Sequence, residues 1–316
     1  MGMLLHLFSV LVAASTLVLI FAGGQVTSTG SGLSVPDWPN TYGWFMFSFP
    51  IDKWVGGIFY EHTHRLIAST VGFLILVLAF WLWRAEPRRW VRRLGFTALG
   101  AVITQGLLGG LTVLFFLPDP ISISHALLAQ LVFCLTVSIA LFTSSGWDRG
   151  YVRDSAQTPD DRTLQRIAML TTAFVYAQIA LGATMRHTDA GLAIPDFPLM
   201  FGGYLPSHWD AKIAIHFAHR LGAAVVSVMI LATTFHVFAH HRSRPELVRP
   251  SLLLIALLCM QVTLGAYVIW SGKYFVINSL HVATGASVLV TSLVLTLRAH
   301  RARFGAMTPA SARVAA

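Results

Sequence analysis

The chain has 316 residues, of which 55% are hydrophobic and only 11% are charged, against about 25% charged residues in a typical soluble domain. The apolar residues fall in long blocks, which excludes a soluble globular protein and indicates an all-α polytopic membrane protein. The net charge of +9 does not indicate a nucleic-acid partner, because the basic residues stand in short loops between apolar blocks, as the positive-inside rule describes.

Eight transmembrane spans of about 20 residues each are predicted in chain order. They cover approximately residues 4–24, 61–83, 94–117, 121–143, 165–185, 212–238, 251–270 and 276–297. The first is interpreted as a retained span, because it lacks a basic n-region and a clear cleavage site. Most Arg residues lie in the 2–3, 4–5 and 6–7 loops and in the C-terminal tail, so both termini are predicted to be cytoplasmic. Because no Arg-rich, Ser-rich transit segment precedes the first span, the bacterial cytoplasmic (inner) membrane is expected.

Spans 1–4 and 5–8 form an internal repeat. A histidine-rich run in span 2, residues 61–66, returns in span 6 as residues 216–221, and His125 of span 4 returns as His281 of span 8. Because each repeat has an even number of spans, both share one orientation and form a parallel repeat of two four-helix bundles. The predicted domains are an N-terminal half (1–146), a cytoplasmic linker (147–164) and a C-terminal half (165–316).

The two long outer loops, about 25–60 and 186–211, share a second repeated motif. Gly-Leu-Ser-Val-Pro-Asp-Trp-Pro at 32–39 returns as Gly-Leu-Ala-Ile-Pro-Asp-Phe-Pro at 191–198. The first loop is strongly aromatic and is predicted to lie against the outer membrane interface. The aromatic residues from Trp38 to Trp54 are proposed to hold it there, so that replacing Trp44 and Phe47 with Ala should loosen the loop to proteolysis.

Four histidines are candidate ligands of haem iron. His64 and His125 lie near the outer ends of spans 2 and 4, and His219 and His281 occupy the same places in spans 6 and 8. Two imidazoles at similar depth on different helices provide what bis-histidine ligation of haem needs. A single histidine is more often an interhelical hydrogen bonder, but four at matched depth in two repeats favour haem.

Arg65 and Arg220 directly follow histidine candidates at the outer boundary, where haem propionates would point. A guanidinium pairs well with a carboxylate, although snorkelling to lipid headgroups is the alternative. Glu61 is a sharp asymmetry, because the matching position in the second repeat is His216. Glu61 lies one helical turn before His64, where a carboxylate can move a proton. The alternative is an i,i+4 ion pair with Arg65.

Three further features carry weaker predictions. The Gln-x-x-Leu-Gly motif occurs at 105–109, 178–182 and 261–265 and is interpreted as helix packing rather than cofactor contact. His62 and His216 offer only a weak indication of a second metal site. No role is assigned to His6, His208, His236, His240, His241 and His300. Both cysteines lie in apolar blocks and no Cys-x-x-Cys-His occurs, so a disulfide framework and covalently attached haem are excluded.

On these residues the chain resembles the haem A synthase family, membrane enzymes that convert haem O to haem A for cytochrome oxidase. The resemblance rests on eight spans in two halves, the Glu-x-x-His-Arg motif at 61–65, one histidine in each of spans 2, 4, 6 and 8, and the repeated Pro-Asp-aromatic-Pro loop. It covers nearly the whole chain.

The resemblance implies oxidation of the C8 methyl group of haem O to a formyl group, with Glu61 as the catalytic acidic residue. It implies that His64 and His125, with Arg65, hold substrate haem O in the N-terminal half. It implies that His219 and His281, with Arg220, hold a haem b cofactor in the C-terminal half. Haem O synthase, the cytochrome oxidase assembly pathway, membrane lipid and an unidentified electron donor are the implied partners.

The chain departs from the family pattern in one respect. Many members carry a cysteine pair in the first outer loop, whereas Val35 stands at the first of these positions and the loop has no cysteine. A loop disulfide is therefore excluded here. Two other functions are weighed against the enzyme: a di-haem b-type electron carrier, which would not need Glu61, and a transporter, which the matched histidines and scarce acidic residues disfavour.

Overall fold

The computed structural model describes residues 2–147 and 161–306, which are helical apart from loops and two isolated β-bridges. Eight helices are long and apolar enough to cross a membrane, which confirms the all-α, multi-pass prediction. They are α1 (Gly2–Ser28), α2 (Gly57–Ala85), α3 (Arg89–Leu114), α4 (Asp119–Phe142), α5 (Arg162–His187), α6 (Ala211–His240), α7 (Pro245–Trp270) and α8 (Phe275–Ala299). A short helix, α9 (Arg301–Ala306), follows.

The helix ends differ from the predicted spans by a few residues. Most helices extend beyond the predicted span at one or both ends, but α3 ends at Leu114, before the predicted 117. It ends there because Phe116 and Leu117 adopt positive φ angles of 58° and 59°, which a right-handed helix cannot contain. Helix α5 begins at Arg162, so residues 162–164 of the predicted linker are helical. Residues 148–160, the rest of that linker after Trp147 and before Asp161, lie outside the described residues.

Within each half, the four long helices pack in a closed ring. Helix α1 contacts α2, α2 contacts α3, α3 contacts α4, and α4 returns to α1; helices α5 to α8 follow the same order. Each ring encloses its own hydrophobic core, with Ile75 and Leu78 fully buried in the first and Ile230 and Leu254 in the second. Burying such side chains stabilises a helix pair only through close packing here, because lipid is as apolar as the core.

The two rings share one interface, made by α1 and α4 against α8 and by α4 against α5. A small core of Ile20, Phe133, Ala286 and Val290 fills it. A Cβ atom on Gly24 of α1 would lie only 3.3 Å from Ser279 Cα of α8. Small residues thus allow the two backbones to approach closely, as is common between membrane helices.

The two long loops fold alike and lie at one end of the rings, called here the loop end. Asp37 accepts hydrogen bonds of 2.7 and 2.8 Å from the backbone amides of Tyr42 and Gly43. Asp196 accepts the same pair of bonds, of 2.7 and 2.8 Å, from the amides five and six residues further on. Burial alone would raise the pKa of Asp37, but these amides and the Arg65 guanidinium lower it, so the carboxylate is charged at neutral pH.

At the opposite end, Asp161 joins the start of α5 to the end of α6. Its Oδ1 accepts from the Leu164 amide at 2.9 Å as an N-cap, and its Oδ2 lies 2.7 Å from His236 Nε2 and 2.8 Å from His241 Nε2. Burial alone would raise the pKa of Asp161, but the hydrogen bonds from His236, Leu164 and His241 lower it. These two histidines therefore have a structural contact that the sequence did not predict.

Candidate functional site

The four candidate histidines all lie at the loop end, and each packs against a glycine of the neighbouring helix. A Cβ atom on Gly23 of α1 would lie 3.1 Å from His64 Cε1. The corresponding distances are 3.1 Å from Gly109 to His125, 3.0 Å from Gly182 to His219 and 3.2 Å from Gly265 to His281. The same side-chain edge therefore faces a glycine in every case, and a Cβ atom at that position would press on the ring.

The imidazoles are paired within each half. His64 and His125 lie within electrostatic range of each other, as do His219 and His281. A buried ring nitrogen of His64, of His125 and of His281 has no hydrogen-bond partner among residues 2–147 and 161–306. An unpartnered buried nitrogen costs about 1–3 kcal/mol, a cost that a metal ion bound to it would remove. Two imidazoles in each half, each seated against a glycine, would be able to ligate a haem iron.

The Gln-x-x-Leu-Gly motif, interpreted from sequence as helix packing, packs against these histidines. Gln105 Nε2 donates to the His125 carbonyl at 2.9 Å and lies 3.4 Å from the ring. Gln178 Nε2 donates to the His219 carbonyl at 2.7 Å and lies 3.0 Å from Nδ1. In the third copy, the Gln261 amide nitrogen lies 3.3 Å from His281 Nε2. The motif thus joins each of these histidines to its neighbouring helix.

Glu61 is buried between α2 and the first loop. Its Oε1 accepts from Arg65 at 2.6 Å, the i,i+4 ion pair that the sequence left as an alternative. Its Oε2 accepts from the Val35 amide at 2.8 Å, which fixes the second oxygen as well. A carboxylate oxygen can accept more than one hydrogen bond, so each oxygen keeps capacity for a further donor.

Arg65 holds the first loop through its backbone. Its Nη1 donates to the Asp37 and Asn40 carbonyls at 2.7 and 3.0 Å, and its Nη2 donates to the Val35 carbonyl at 2.8 Å and to Glu61. The N–H groups of Nη1 and Nη2 are thus all engaged with the protein itself. The predicted pairing of Arg65 with a haem carboxylate stays a prediction, and only Nε lacks an acceptor among the described residues.

The second half repeats this arrangement with a histidine in the place of Glu61. His216 Nδ1 accepts from the Ile194 amide at 3.2 Å, the counterpart of the Val35 bond to Glu61. Arg220 Nη1 donates to the Leu199 carbonyl at 2.9 Å, and its Nη2 donates to the Asp196 carbonyl at 2.6 Å. The two halves therefore hold their loops alike, and at the position of Glu61 they differ by a carboxylate in place of an imidazole. The predicted pairing of Arg220 with a haem carboxylate is not tested by these contacts.

Within the aromatic stretch from Trp38 to Trp54 that was predicted to hold the first loop, some rings are exposed and others are packed. Trp44 and Phe47 are 45% and 60% exposed. Phe49 and Trp54 instead pack on the fully buried ring of His62, at centroid distances of 5.1 and 4.7 Å. The sequence could not distinguish these because exposure depends on how the loop folds back on α2. His62 lies in this aromatic contact and His216 in the other half, so they form no shared site.

Two residues at the end of α5 were missed by the sequence interpretation. Arg186 Nη2 reaches across the interface to the Gly24 carbonyl at 2.6 Å and to Ser28 Oγ at 2.7 Å, both on α1. It lies within electrostatic range of His281, and the adjacent His187 lies within range of His125. This pair therefore stands between the two histidine pairs. The sequence offered one indication of this pair. Arg186 and His187 are charged or titratable residues at the end of a span, whereas the corresponding positions of the first repeat, 27–28, are Thr and Ser.

Several bacterial proteins named Heme A synthase are similar to this chain over most of its length. One from Halalkalibacterium halodurans is 27% identical over 297 residues, covering 92% of this chain and 94% of that protein. One from Geobacillus kaustophilus is 28% identical over 302 residues, covering 92% of both. One from Sinorhizobium medicae is 29% identical over 288 residues, covering 78% of this chain and 76% of that protein.

A family model described as cytochrome oxidase assembly protein matches residues 44–294. The match contains the four histidines, Glu61, both arginines that hold the loops, and the second loop. The chain therefore belongs to the COX15-CtaA family of cytochrome oxidase assembly proteins.

Proposed function

We propose that this chain is a haem A synthase, an oxidoreductase that converts the C8 methyl group of haem O into the formyl group of haem A. The observation that carries the proposal is a carboxylate that one of two repeated sites has and the other lacks. Glu61 lies one turn before His64, where the second half has His216. An electron carrier with two equivalent haems would not need this difference between the halves. An enzyme whose reaction is confined to one half would need it.

The two halves, residues 1–146 and 165–316, are proposed to be parallel repeats with different occupants. In the N-terminal half His64 and His125 would hold the iron of substrate haem O. In the C-terminal half His219 and His281 would hold the iron of haem b, which supplies one-electron redox chemistry when bound. The glycine contacts and the unpartnered ring nitrogens support ligation in both halves.

Glu61 is proposed to hold or move a proton at the substrate. Its ion pair with Arg65 and its bond from Val35 fix the carboxylate one helical turn from His64. Each oxygen retains a lone pair that can accept a proton from the hydroxyl group of a hydroxylated substrate carbon. Because the group is already oriented, little reorganisation is needed when the substrate binds.

Arg65 and Arg220 are proposed to keep their loops closed over the haem edges, and in that position they favour haem carboxylates through their charge. Covering the loop end excludes water from the reacting methyl group. The proposed location is the bacterial cytoplasmic membrane, with both termini cytoplasmic. Haem O synthase is the proposed supplier of substrate, and the electron donor is not assigned.

The proposal is tested by expressing the chain with a haem O synthase in a host that makes no haem A, and identifying the extracted haems by chromatography and mass spectrometry. The wild type is expected to accumulate haem A. Glu61→Gln is expected to lose it by 100-fold or more while still carrying haem, because the amide keeps the shape but cannot accept the proton.

Glu246→Gln is the matched control, since Glu246 is also ion-paired, with Arg244 at 2.7 Å, but lies at the opposite end of the rings. It is expected to make haem A at the wild-type level. Haem O and haem b alone from the wild type, in a host where a known haem A synthase works, would refute the enzyme and favour the electron carrier. Normal haem A from Glu61→Gln would refute the role of the carboxylate.

A further inference from the structure

Three of the four histidines have a glutamine beside them, and His64 does not. The glutamine always lies one turn before the glycine that faces the ring: Gln105 before Gly109, Gln178 before Gly182, Gln261 before Gly265. Helix α1 has the glycine, Gly23, but the residue one turn before it is Leu19. Gly23 and Gly182 are 159 residues apart, the offset of the repeated loops, so Leu19 is the counterpart of Gln178.

In the second half each glutamine lies beside a glycine on the histidine's own helix. A Cβ atom on Gly222, three residues after His219, would lie 2.1 Å from Gln178 Oε1, so the amide would have to move if a larger residue stood there. A Cβ atom on Gly285, four residues after His281, would lie 3.2 Å from Gln261 Nε2, which is a tight contact. The counterpart of Gly222 in the first half is Ile67, which is partly buried in the core of that half. In the first half, Leu19 and Ile67 thus stand where the second half has Gln178 and Gly222.

The amide restrains a histidine in two ways. Gln105 and Gln178 each donate a hydrogen bond to the histidine carbonyl, which ties its backbone to the next helix. In all three copies the amide nitrogen also lies 3.0–3.4 Å from a ring nitrogen, which opposes rotation of the imidazole. The His64 ring forms no hydrogen bond with any residue in 2–147 or 161–306. Because Leu19 and Ile67 have no polar atom to offer it, His64 is the least restrained of the four rings.

We infer that His64 is the axial ligand that releases, and that Leu19 and Ile67 make it so. The inference rests on the proposed function and adds to it. A substrate site must let haem O enter and haem A leave, whereas a resident cofactor must stay. In the C-terminal half both ligands are held by an amide, and in the N-terminal half only His125 is. Gln178, Gln261 and Gln105 are therefore positioning residues, and their absence beside His64 sets which haem exchanges.

The test measures haem transfer from the purified, detergent-solubilised protein to excess apomyoglobin, followed by absorption. The wild type is expected to release haem in a fast and a slow phase. Leu19→Gln combined with Ile67→Gly is expected to slow the fast phase about fivefold, the equivalent of one net hydrogen bond. Gln178→Leu is expected to accelerate the slow phase by a similar factor.

Ile67→Gly alone is the control for the cavity left by isoleucine, and it should not slow the fast phase. The low-spin absorption of each variant reports whether both ligands remain on the iron. A merely structural defect would reduce this absorption and would change the rates of both release phases together. An unchanged fast phase in the double variant, or an unchanged slow phase in Gln178→Leu, would overturn the inference.

The assay separates this inference from the proposed function, because transfer does not require haem A to be made. If both rates of haem transfer change as expected but no haem A is made, the assignment of the releasing ligand stands and the enzymatic proposal is refuted. If haem A is made but neither variant changes its rate of haem transfer, the enzymatic proposal stands and the inference is refuted. If no haem can be transferred, the inference is refuted.

Discussion

A glycine under each imidazole is the residue-scale feature on which the site depends. A histidine ring fits between two closely packed helices where the neighbouring helix has no side chain in its way. A Cβ atom at any of these four glycines would lie 3.0–3.2 Å from the ring. That separation is tighter than an ordinary van der Waals contact, so the ring or the helix must move. Interhelical glycine here serves a side chain as well as the approach of two backbones.

Gly182→Ala is expected to displace the His219 ring and to lower the haem content of the purified protein, with loss of low-spin absorption from one site. Gly100→Ala is the control, because a Cβ there meets nothing within 4 Å, and alanine stabilises a helix interior by about 1 kcal/mol relative to glycine. The pyridine haemochrome assay measures both. Equal haem content in Gly182→Ala and Gly100→Ala would show that the close glycine contact does not position His219.

At the scale of the element, each outer loop is fastened by one arginine through its backbone. Arg65 uses both terminal nitrogens on carbonyls of the first loop and on Glu61, and Arg220 binds the second loop in the same way. Bonds from a guanidinium to carbonyls do not depend on the loop side chains. The loop without cysteines is therefore held at Val35 by Arg65 and Glu61.

Arg65→Lys is expected to free the first loop while leaving the second in place, because one ammonium group cannot reach carbonyls on three separate residues. Hydrogen bonds from a charged donor contribute about 1.5–3 kcal/mol each, so the loss is large for one loop. Limited proteolysis, read by mass spectrometry, should show new cuts within residues 29–56. Arg220→Lys should instead produce new cuts within residues 188–210. If either variant were cut in both loops, the idea that each arginine holds only its own loop would be wrong.

At the scale of the whole molecule, the two rings meet through α1, α4, α5 and α8, and Arg186 is the main polar connection described at the loop end of this interface. Its guanidinium binds the last turn of α1 from the last turn of α5. The carbonyl of Gly24 and the hydroxyl of Ser28 are thus joined to the other half. The histidine pairs on the two sides are thereby held at a fixed separation.

Arg186→Lys is expected to lower the stability of the solubilised protein by about 1–2 kcal/mol, since the shorter ammonium group keeps the charge but cannot span both acceptors. The midpoint of thermal unfolding in detergent measures this. Arg84→Lys, at the exposed end of α2, is the control and should leave the midpoint unchanged. A midpoint equal to the wild type in Arg186→Lys would show that the apolar interface alone fixes the two halves.

Much of the fold followed from the sequence because its causes are local. A run of about 20 apolar residues must become a helix in lipid, since no water is present to satisfy its backbone, and this determined all eight spans. The helix ends were less predictable, as at Leu114, where a positive φ in the next residues stops the helix. The repeated motifs are visible in the sequence itself, because matched residues recur at nearly constant offsets.

The site was predicted only in its residue types. The sequence indicated four histidines, Glu61 and two arginines, because polar residues in membrane helices are costly and stand out. It did not indicate that Gln178 contacts His219, or that Arg186 crosses to α1, since both contacts join helices that are distant along the chain. The contrast between Gln178 and Leu19 became visible only when both were compared beside their histidines.

By itself the sequence determined the helical class, the number of spans, the repeat and the family resemblance, all of which depend on composition and spacing along one chain. Only the tertiary structure decided which glycine faces which imidazole, which carbonyls the arginines bind and which aromatic residues cover His62. These depend on the rotation and depth of each helix against its neighbours. Packing between helices sets the rotation and the depth of each helix. Many different apolar sequences specify the same helix without fixing its rotation or its depth.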